Sequence, residues 1–336
     1  MSENKPIKIL FVRLNPSSFV QRDLEILQKH FQVRELDFKV SLKDPFSTLK
    51  TLYRLVSGVI WADVSFSWFA DIHAQWTVKL SRFFNKKSVV VIGGYETGKI
   101  EELGYGALVD PDKMARIKYI FENATRIIAL TSIMKQEAIE HYQVTGENFQ
   151  VIPTGFDDKT FQPKGEKEDL VFTASLGHTW DRVRLKGVDT FVKSAKYLPE
   201  IKFMVNGTTG EALEKLREIA PSNVEFVGPV PFPQLLELFQ KSKVYCQLSM
   251  REGLPTAVCE AMLCQCVPVG TERFGIPVAI GDTGFYAPYG DVEATADAIK
   301  KALKSGKGKM ARQRVKKLFP SEVREKGLLS LIRELK

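Results

Sequence analysis

Short apolar runs alternate with amphipathic stretches along the whole chain. In the first half, Ile7–Val12, Val33–Phe38, Val64–Ser67, Ser88–Ile92 and Arg126–Leu130 read as strands. Between them Val20–His30, Leu49–Ile60, Trp76–Asn85, Asp112–Ala124 and Ile133–His141 carry apolar residues at helical spacing. Val151–Pro163 breaks the rhythm with proline, glycine and paired aspartates, as a linker would. A second set follows, with strands at Leu170–Leu176, Lys202–Asn206, Val224–Val227, Val244–Leu248 and Cys266–Val269. Its helices are Val188–Tyr197, Glu211–Glu218, Phe232–Lys241 and Val292–Lys304, and Ser321–Leu335 reads as a last helix. Regular strand–helix alternation predicts the α/β class with parallel, doubly wound sheets. At 336 residues the chain exceeds what one core usually supports, so two domains are expected.

The most informative stretch is Arg251–Gly270, REGLPTAVCEAMLCQCVPVG. Gly253-Leu254-Pro255 ends the strand Val244–Leu248, and Pro255 suits the first position of a helix, where its missing N–H has no partner to lose. Ala257, Val258, Ala261, Met262 and Leu263 continue with helical spacing. The free N–H groups and positive dipole end at Leu254–Thr256 favour an anion. Glu252 precedes that end, while Glu260 lies roughly five residues inside, or ~7.5 Å along the axis. An anion held between two carboxylates makes sense for a ligand with hydroxyls on both sides of a diphosphate, which describes a nucleotide sugar.

The string EGLPTAVCEAM, followed by the strand-like CVPVGT, resembles the E-x7-E signature of retaining glycosyltransferases of family 4, the glycosyl transferases group 1. The likeness covers most of the chain and is strongest from Val151 to Leu303. It implies the GT-B fold: two Rossmann-like doubly wound domains facing across a cleft. The expected boundaries are 1–155 for an acceptor-side domain, with helix 321–336 crossing back to it, and 156–320 for a donor-binding domain. The resemblance further implies that Glu260 grips the donor ribose and that Glu252 lies against the transferred sugar, with Gly253, Leu254, Pro255 and Thr256 supplying the turn. Phe172–Gly187 is similar to the family's cationic loop, in which an arginine and a lysine hold the diphosphate. Lys186-Gly187 matches its second half; His178 stands where the family's arginine would, so Arg182 or Arg184 takes that place. Asn223–Pro231 resembles the loop facing the donor base, where Gly228 lets backbone approach the ring, and Thr271–Pro277 the loop after the signature helix.

The first half departs from the family pattern. Arg13-Leu14-Asn15-Pro16-Ser17-Ser18 replaces a glycine-rich loop, leaving Ser17 and Ser18 as hydroxyls for phosphate or acceptor. Gly93-Gly94-Tyr95-Glu96 stands where many members carry a histidine, which makes Gly94 and the nearby His73 acceptor-side candidates. Asp110-Pro111-Asp112 spells D-x-D but also makes an ordinary helix start, so no metal site is expected. The resemblance implies that lysine and arginine take the metal's place and that the nucleotide sugar is a co-substrate, with no resident cofactor expected.

Composition narrows the remaining choices. With 44% hydrophobic and 26% charged residues the chain has the balance of a globular protein, and no run approaches the ~20 apolar residues of a membrane span. Met1–Lys8 shows no signal-peptide pattern, and Cys246, Cys259, Cys264 and Cys266 fall in one apolar segment as free buried thiols. A cytoplasmic protein is expected, active in solution or at the inner face of the membrane. A net charge of +8 draws it to anions, although no nucleic-acid motif is present. Trp76–Lys87 mixes aromatic, aliphatic and basic residues and fits either a helix packed on a sheet or one lying on an anionic membrane. The reading is hexosyl transfer from a nucleotide sugar to a glycan, lipid or small-molecule acceptor. Two rivals are an epimerase on the same fold and a non-catalytic sugar-nucleotide or glycan binder.

Overall fold

The computed structural model describes residues 6–14, 16–41 and 43–336; Asn15 and the polar start Met1–Lys5 lie outside the described residues. The chain forms two compact units, one made of Met1–Thr154 with Glu322–Lys336, the other of Gly155–Ser321.

The first unit is built on β1 (Lys8–Arg13), β2 (Gln32–Asp37), β3 (Val64–Trp68), β4 (Lys87–Ile92), β5 (Arg126–Ala129) and β6 (Phe149–Val151). All pairs are parallel, in the order β2-β1-β3-β4-β5-β6. Every residue of β3 is buried, as expected of a parallel strand covered on both faces. The chain steps left from β1 to β2, then returns to the right through β3, so the direction of winding reverses between β1 and β3. Helix Pro45–Trp61 begins a turn earlier than its apolar pattern suggested: Asp44 accepts a hydrogen bond from Ser47 N at 3.0 Å, and proline occupies the first turn.

The last helix, Ser321–Glu334, is anchored in the first unit by Arg324. Its Nε and Nη2 donate to the two carboxylate oxygens of Asp23 at 2.9 and 2.5 Å, and Nη1 donates to the Ile152 carbonyl at 2.6 Å. Trp68 Nε1 donates to Asp23 at 2.8 Å, and Arg324 and Asp23 are each about 2% exposed. Burying two charges is tolerated because every strong donor finds an acceptor.

The second unit carries β7 (Glu168–Gly177), β8 (Lys202–Thr208), β9 (Val224–Val227), β10 (Ser242–Gln247), β11 (Val267–Gly270) and β12 (Phe285–Tyr286). They are again all parallel, ordered β12-β11-β10-β7-β8-β9. Val171, Phe191, Phe203, Val244, Val269 and Ile299 lie at the centre of its core. Three helices extend the sequence reading: Trp180–Lys186, Gly275–Ile280 and Gly308–Leu318. The basic turn expected before Val188 is thus itself helical. The four cysteines are free and buried, and burial pushes the Cys264 thiol up to about 12.

Asp23→Ala would leave Arg324 charged and without its carboxylate, which we expect to cost about 3–5 kcal/mol. Hydrogen exchange reads this directly: amides in Ser321–Glu334 should lose protection first, whereas unchanged protection would show that the pair is dispensable.

Candidate functional site

In the second sheet the chain enters at β7, winds outward to β9, then returns to β10 on the other side of β7. The crevice beyond the carboxyl ends of β7 and β10 is therefore a topological switch point, where open parallel sheets bind ligands. Helix Trp180–Lys186 follows β7, and the loop Leu248–Pro255 follows β10.

One glycine fixes how they meet. Gly187 ends the first helix with φ of +65°, and a Cβ there would lie 2.1 Å from the Leu248 carbonyl oxygen. Only glycine permits both the left-handed turn and that approach. Next to it, Met250 N donates to the Leu185 carbonyl at 2.8 Å. Lys186, held between these contacts, places Nζ 2.5 Å from Glu252 Oε1. The same oxygen accepts from Ser249 Oγ at 2.7 Å and from Gln247 Nε2 at 2.9 Å. Gln247 Nε2 lies 2.8 Å from Ser249 Oγ as well, so a strand-end amide and a hydroxyl brace the carboxylate from below. Glu252 is oriented, and its charge is shared between a cation and two neutral donors.

Glu260 lies on helix Thr256–Leu263, 8% exposed. Burial pushes the Tyr245 phenol up, and the Glu252 and Glu260 carboxylates push it the same way. Pro255 is the capping residue, so the helix begins at Thr256, one position later than expected, and Leu254 is buried. The loop after β11 packs under Gly253: a Cβ on Gly275 would sit 1.6 Å from the Gly253 carbonyl, and Gly275 N donates to the Glu252 carbonyl at 3.1 Å. This amide holds the loop. Arg251 is buried with its guanidinium 4.0 Å from the centre of the Phe274 ring.

Helical phase separates the two arginines. Arg182 is four residues before Lys186 and shares its face; Arg184, two residues away, does not. Arg182 runs beside the end of β7, where a Cβ on Gly177 would approach its Cγ to 3.0 Å. Gly228 is exposed after β9, and its carbonyl accepts from Asn206 Nδ2 at 2.7 Å. The structure thus gathers Lys186, Glu252, Gly253 and Gly275 directly. Gln247 and Ser249 were missed by sequence reasoning, because their roles follow from strand-end geometry and no motif marks them.

The first unit has a cavity of about 170 Å³ near its own switch point, lined by Phe69, Asp71, Tyr95, Glu96, Lys113 and Arg116. The Glu96 carboxylate accepts from the N–H groups of Gly93, Gly94 and Ala70 at 3.0–3.1 Å, and burial raises its pKa. Gly94, with φ of +114°, thereby acts through its amide in shaping the loop. Arg116 Nη1 donates to Asp71 Oδ1 at 2.6 Å. Ser17 caps helix Ser18–His30 by position without a side-chain cap bond, and Ser18 is exposed at its first turn.

The acceptor-side candidacy of His73 is corrected: the imidazole is a fully buried core group, with Nε2 2.8 Å from the Trp68 carbonyl and its ring 6.1 Å from Phe38. Its position one residue inside helix Ile72–Phe83 turns it toward the sheet. Asp110 accepts from the N–H groups of Asp112 and Lys113, which is an N-cap. Among the described residues no group of three or more His, Cys, Asp or Glu is placed to hold a metal ion.

Comparison with known proteins bears on this geometry. Residues 167–305 match the family model Glycosyl transferases group 1, and Lys186, Glu252 and Glu260 all fall inside the match. The D-inositol 3-phosphate glycosyltransferase of Kribbella flavida is 25% identical over 220 residues, covering 56% of this chain and 51% of that protein. The chain spans about half the length of the curated relatives it matches. Sucrose-phosphate synthase from Thermosynechococcus elongatus has a TM-score of 0.78 at 18% identity, covering 98% of this chain and 99% of the other. Anabaena HepE in complex with UDP has a TM-score of 0.79 at 14% identity, covering 98% and 100%. The fold is GT-B, with two Rossmann-like sheets.

Two outcomes test this description. Gly187→Ala should lower the thermal midpoint by about 5 °C, since a left-handed alanine costs ~1–2 kcal/mol before the clash is counted. Gly228→Ala, whose Cβ meets nothing within 4 Å, should leave it unchanged; equal midpoints for both variants would refute the close approach. Burial pulls the His73 imidazole down from 6.5 to about 4 against the smaller opposite pull of the Trp68 carbonyl. Below pH 6.5 the unfolded chain takes up a proton that the native one refuses until about pH 4, so stability falls across that window. Relative to His73→Gln the loss should total roughly 3 kcal/mol. Parallel urea midpoints for the two proteins between pH 7 and 4 would refute the burial.

Proposed function

We propose that the chain is a retaining glycosyltransferase of family 4 that moves a hexosyl unit from a nucleoside-diphosphate sugar to an acceptor hydroxyl, without a metal. The observation that carries this reading is the Lys186–Glu252 pair at the β7/β10 switch point, inside the segment matching glycosyl transferases group 1. The donor occupies that crevice, with its ribose on Glu260 and its base along the Gly228 loop. The diphosphate meets Lys186, Arg182 and the N–H groups at Leu254–Thr256. We assign the second cation to Arg182 because it shares the helix face of Lys186.

Glu252 orients the transferred sugar, and its alignment by Ser249 and Gln247 supports that role. Rate acceleration comes from stabilising the charge on the departing diphosphate. Lys186 and Arg182 supply positive charge that a metal would otherwise bring. As the glycosidic C–O bond breaks, its electron pair leaves with the diphosphate. The acceptor oxygen then bonds to the anomeric carbon on the same face, and its proton passes to the leaving phosphate oxygen. The cavity beside Glu96, with Lys113 and Arg116 on its wall, is the candidate for holding a polyhydroxyl acceptor. The UDP bound by HepE makes uridine the first base to test.

Thermal shifts with uridine, guanosine and adenosine diphosphates and their sugars test the donor site. One base should stabilise the chain, and Glu260→Ala should abolish that shift. In acceptor-dependent nucleotide release, Lys186→Ala should lower kcat by about 100-fold. An α-linked product from an α-linked donor, read by NMR, would show retention. No shift with any nucleotide, together with unchanged behaviour of both variants, would sink the assignment.

A further inference from the structure

The outer face of helix Pro45–Trp61 carries apolar side chains that nothing in the first unit covers. Phe46, Leu49 and Tyr53 fall at i, i+3 and i+7, a single stripe, and are 85%, 67% and 72% exposed. The inner stripe of the same helix is already committed, with Thr51, Leu55, Gly58 and Val59 buried. Gly58 sits so close to the sheet that a Cβ would meet Leu10 Cδ1 at 2.7 Å. The exposed row is therefore surplus to the core. Large apolar residues on successive turns of one helix form a patch, unlike scattered exposed leucines. The neighbouring helix Ile72–Phe83 packs beside it and adds Trp76 and Phe83, 45% and 80% exposed and again seven residues apart.

Charge identifies the occupant. Between Phe38 and Trp61 the chain has Lys39, Lys43, Lys50 and Arg54 against a single acid, Asp44, whose carboxylate caps Ser47 N. From Ile72 to Lys87 there are Lys79, Arg82, Lys86 and Lys87 and no acid at all. A second copy of the chain would bring like charges face to face in a symmetric contact, which disfavours a dimer here. Aromatic and aliphatic side chains flanked mostly by cations are suited to an anionic lipid surface. Among the described residues no helix is long and apolar enough to cross a membrane.

We propose that the faces of helices Pro45–Trp61 and Ile72–Phe83 form a docking surface for an anionic bilayer, with Phe46, Leu49 and Tyr53 inserted among the headgroups. This extends the basic, aromatic stretch Trp76–Lys87 to a second helix, and it does not depend on the sugar-transfer reading.

Flotation of the full chain with phosphatidylcholine vesicles, with and without about 30% phosphatidylglycerol, tests the surface. The chain should float with the anionic vesicles only, and less so as salt is raised. Phe46→Ser/Leu49→Ser/Tyr53→Ser should lower binding at least about tenfold, since each side chain stands to bury apolar area, with thermal midpoint and circular dichroism unchanged. Lys43→Glu/Lys50→Glu should weaken binding to anionic vesicles without altering the fold. Three results would overturn the proposal: no binding by the wild-type chain, equal binding by the serine variant, or a light-scattering dimer that the serine substitutions dissociate in the absence of vesicle binding.

Discussion

The Leu248 carbonyl lies where a side chain at position 187 would have to be, and the arrangement of the second unit's site depends on that approach. It brings the end of helix Trp180–Lys186 against the strand-end segment that carries Ser249 and Glu252. The Gly253–Gly275 contact does the same for the loop after β11. Three segments far apart in sequence thus share one edge through backbone packing, before any side chain interacts. The Lys186–Glu252 pair is a consequence of this packing. Its two side chains are 19% and 15% exposed, so the desolvation cost offsets much of the Coulomb attraction. A pair in that balance contributes little net stability but holds two charges in a defined place. Such an arrangement suits a site where a ligand must compete for the cation.

Topology explains why the chemistry collects there. In a parallel sheet the carboxyl ends of all strands lie along one edge, and the two strands flanking the winding reversal send their following segments apart. The gap between those segments is the one place where a ligand reaches the strand ends without being blocked by a crossover. In the second sheet that gap is between β7 and β10, and in the first it is between β1 and β3. The first unit's cavity draws its lining from segments following β1, β3 and β4, including Leu14, Phe69 and Tyr95. Phe69 there has φ of +70°, and its ring fills the space that a Cβ on Gly93 would take. Backbone strain of this kind costs ~1–3 kcal/mol and persists where the surroundings over-determine it. The first unit therefore has its own shaped edge.

The pattern was enough to read ten of the twelve strands among the described residues, most of them continuous apolar runs buried on both faces, and β2 by its alternation. It missed β6 and β12, which are three and two residues long. It also missed helix Trp180–Lys186, where Val183 and Leu185 are the buried side chains and too few to show a period. Gly308–Leu318 was hidden by its lysines and arginines, though Ala311 and Val315 are buried four residues apart. His73 illustrates a different limit. A histidine at the second position of a helix faces inward or outward according to the helix's rotation, which is set by packing on the sheet. Likewise Leu49, Leu52, Tyr53, Val56, Val59 and Ile60 are apolar on every side of their helix, so sequence did not indicate which stripe remains outside.

A net charge of +8 says only that anions are favoured, and the placement of the cations is what divides that preference. Arg324 is spent inside the first unit on Asp23. Arg251 is buried under the loop that bears Glu252. Lys186 stands in the second unit's crevice, where low exposure concentrates its field on whatever enters. Lys39, Lys43 and Lys50 stand on the outer surface of the first unit, where water and salt screen them beyond about 8 Å. A buried cation acts on one bound group at a fixed position; a screened row acts on an extended surface of opposite sign. The two populations therefore suit different partners, a compact anion and a plane of charge under the two proposals above, and net charge alone could not have distinguished them.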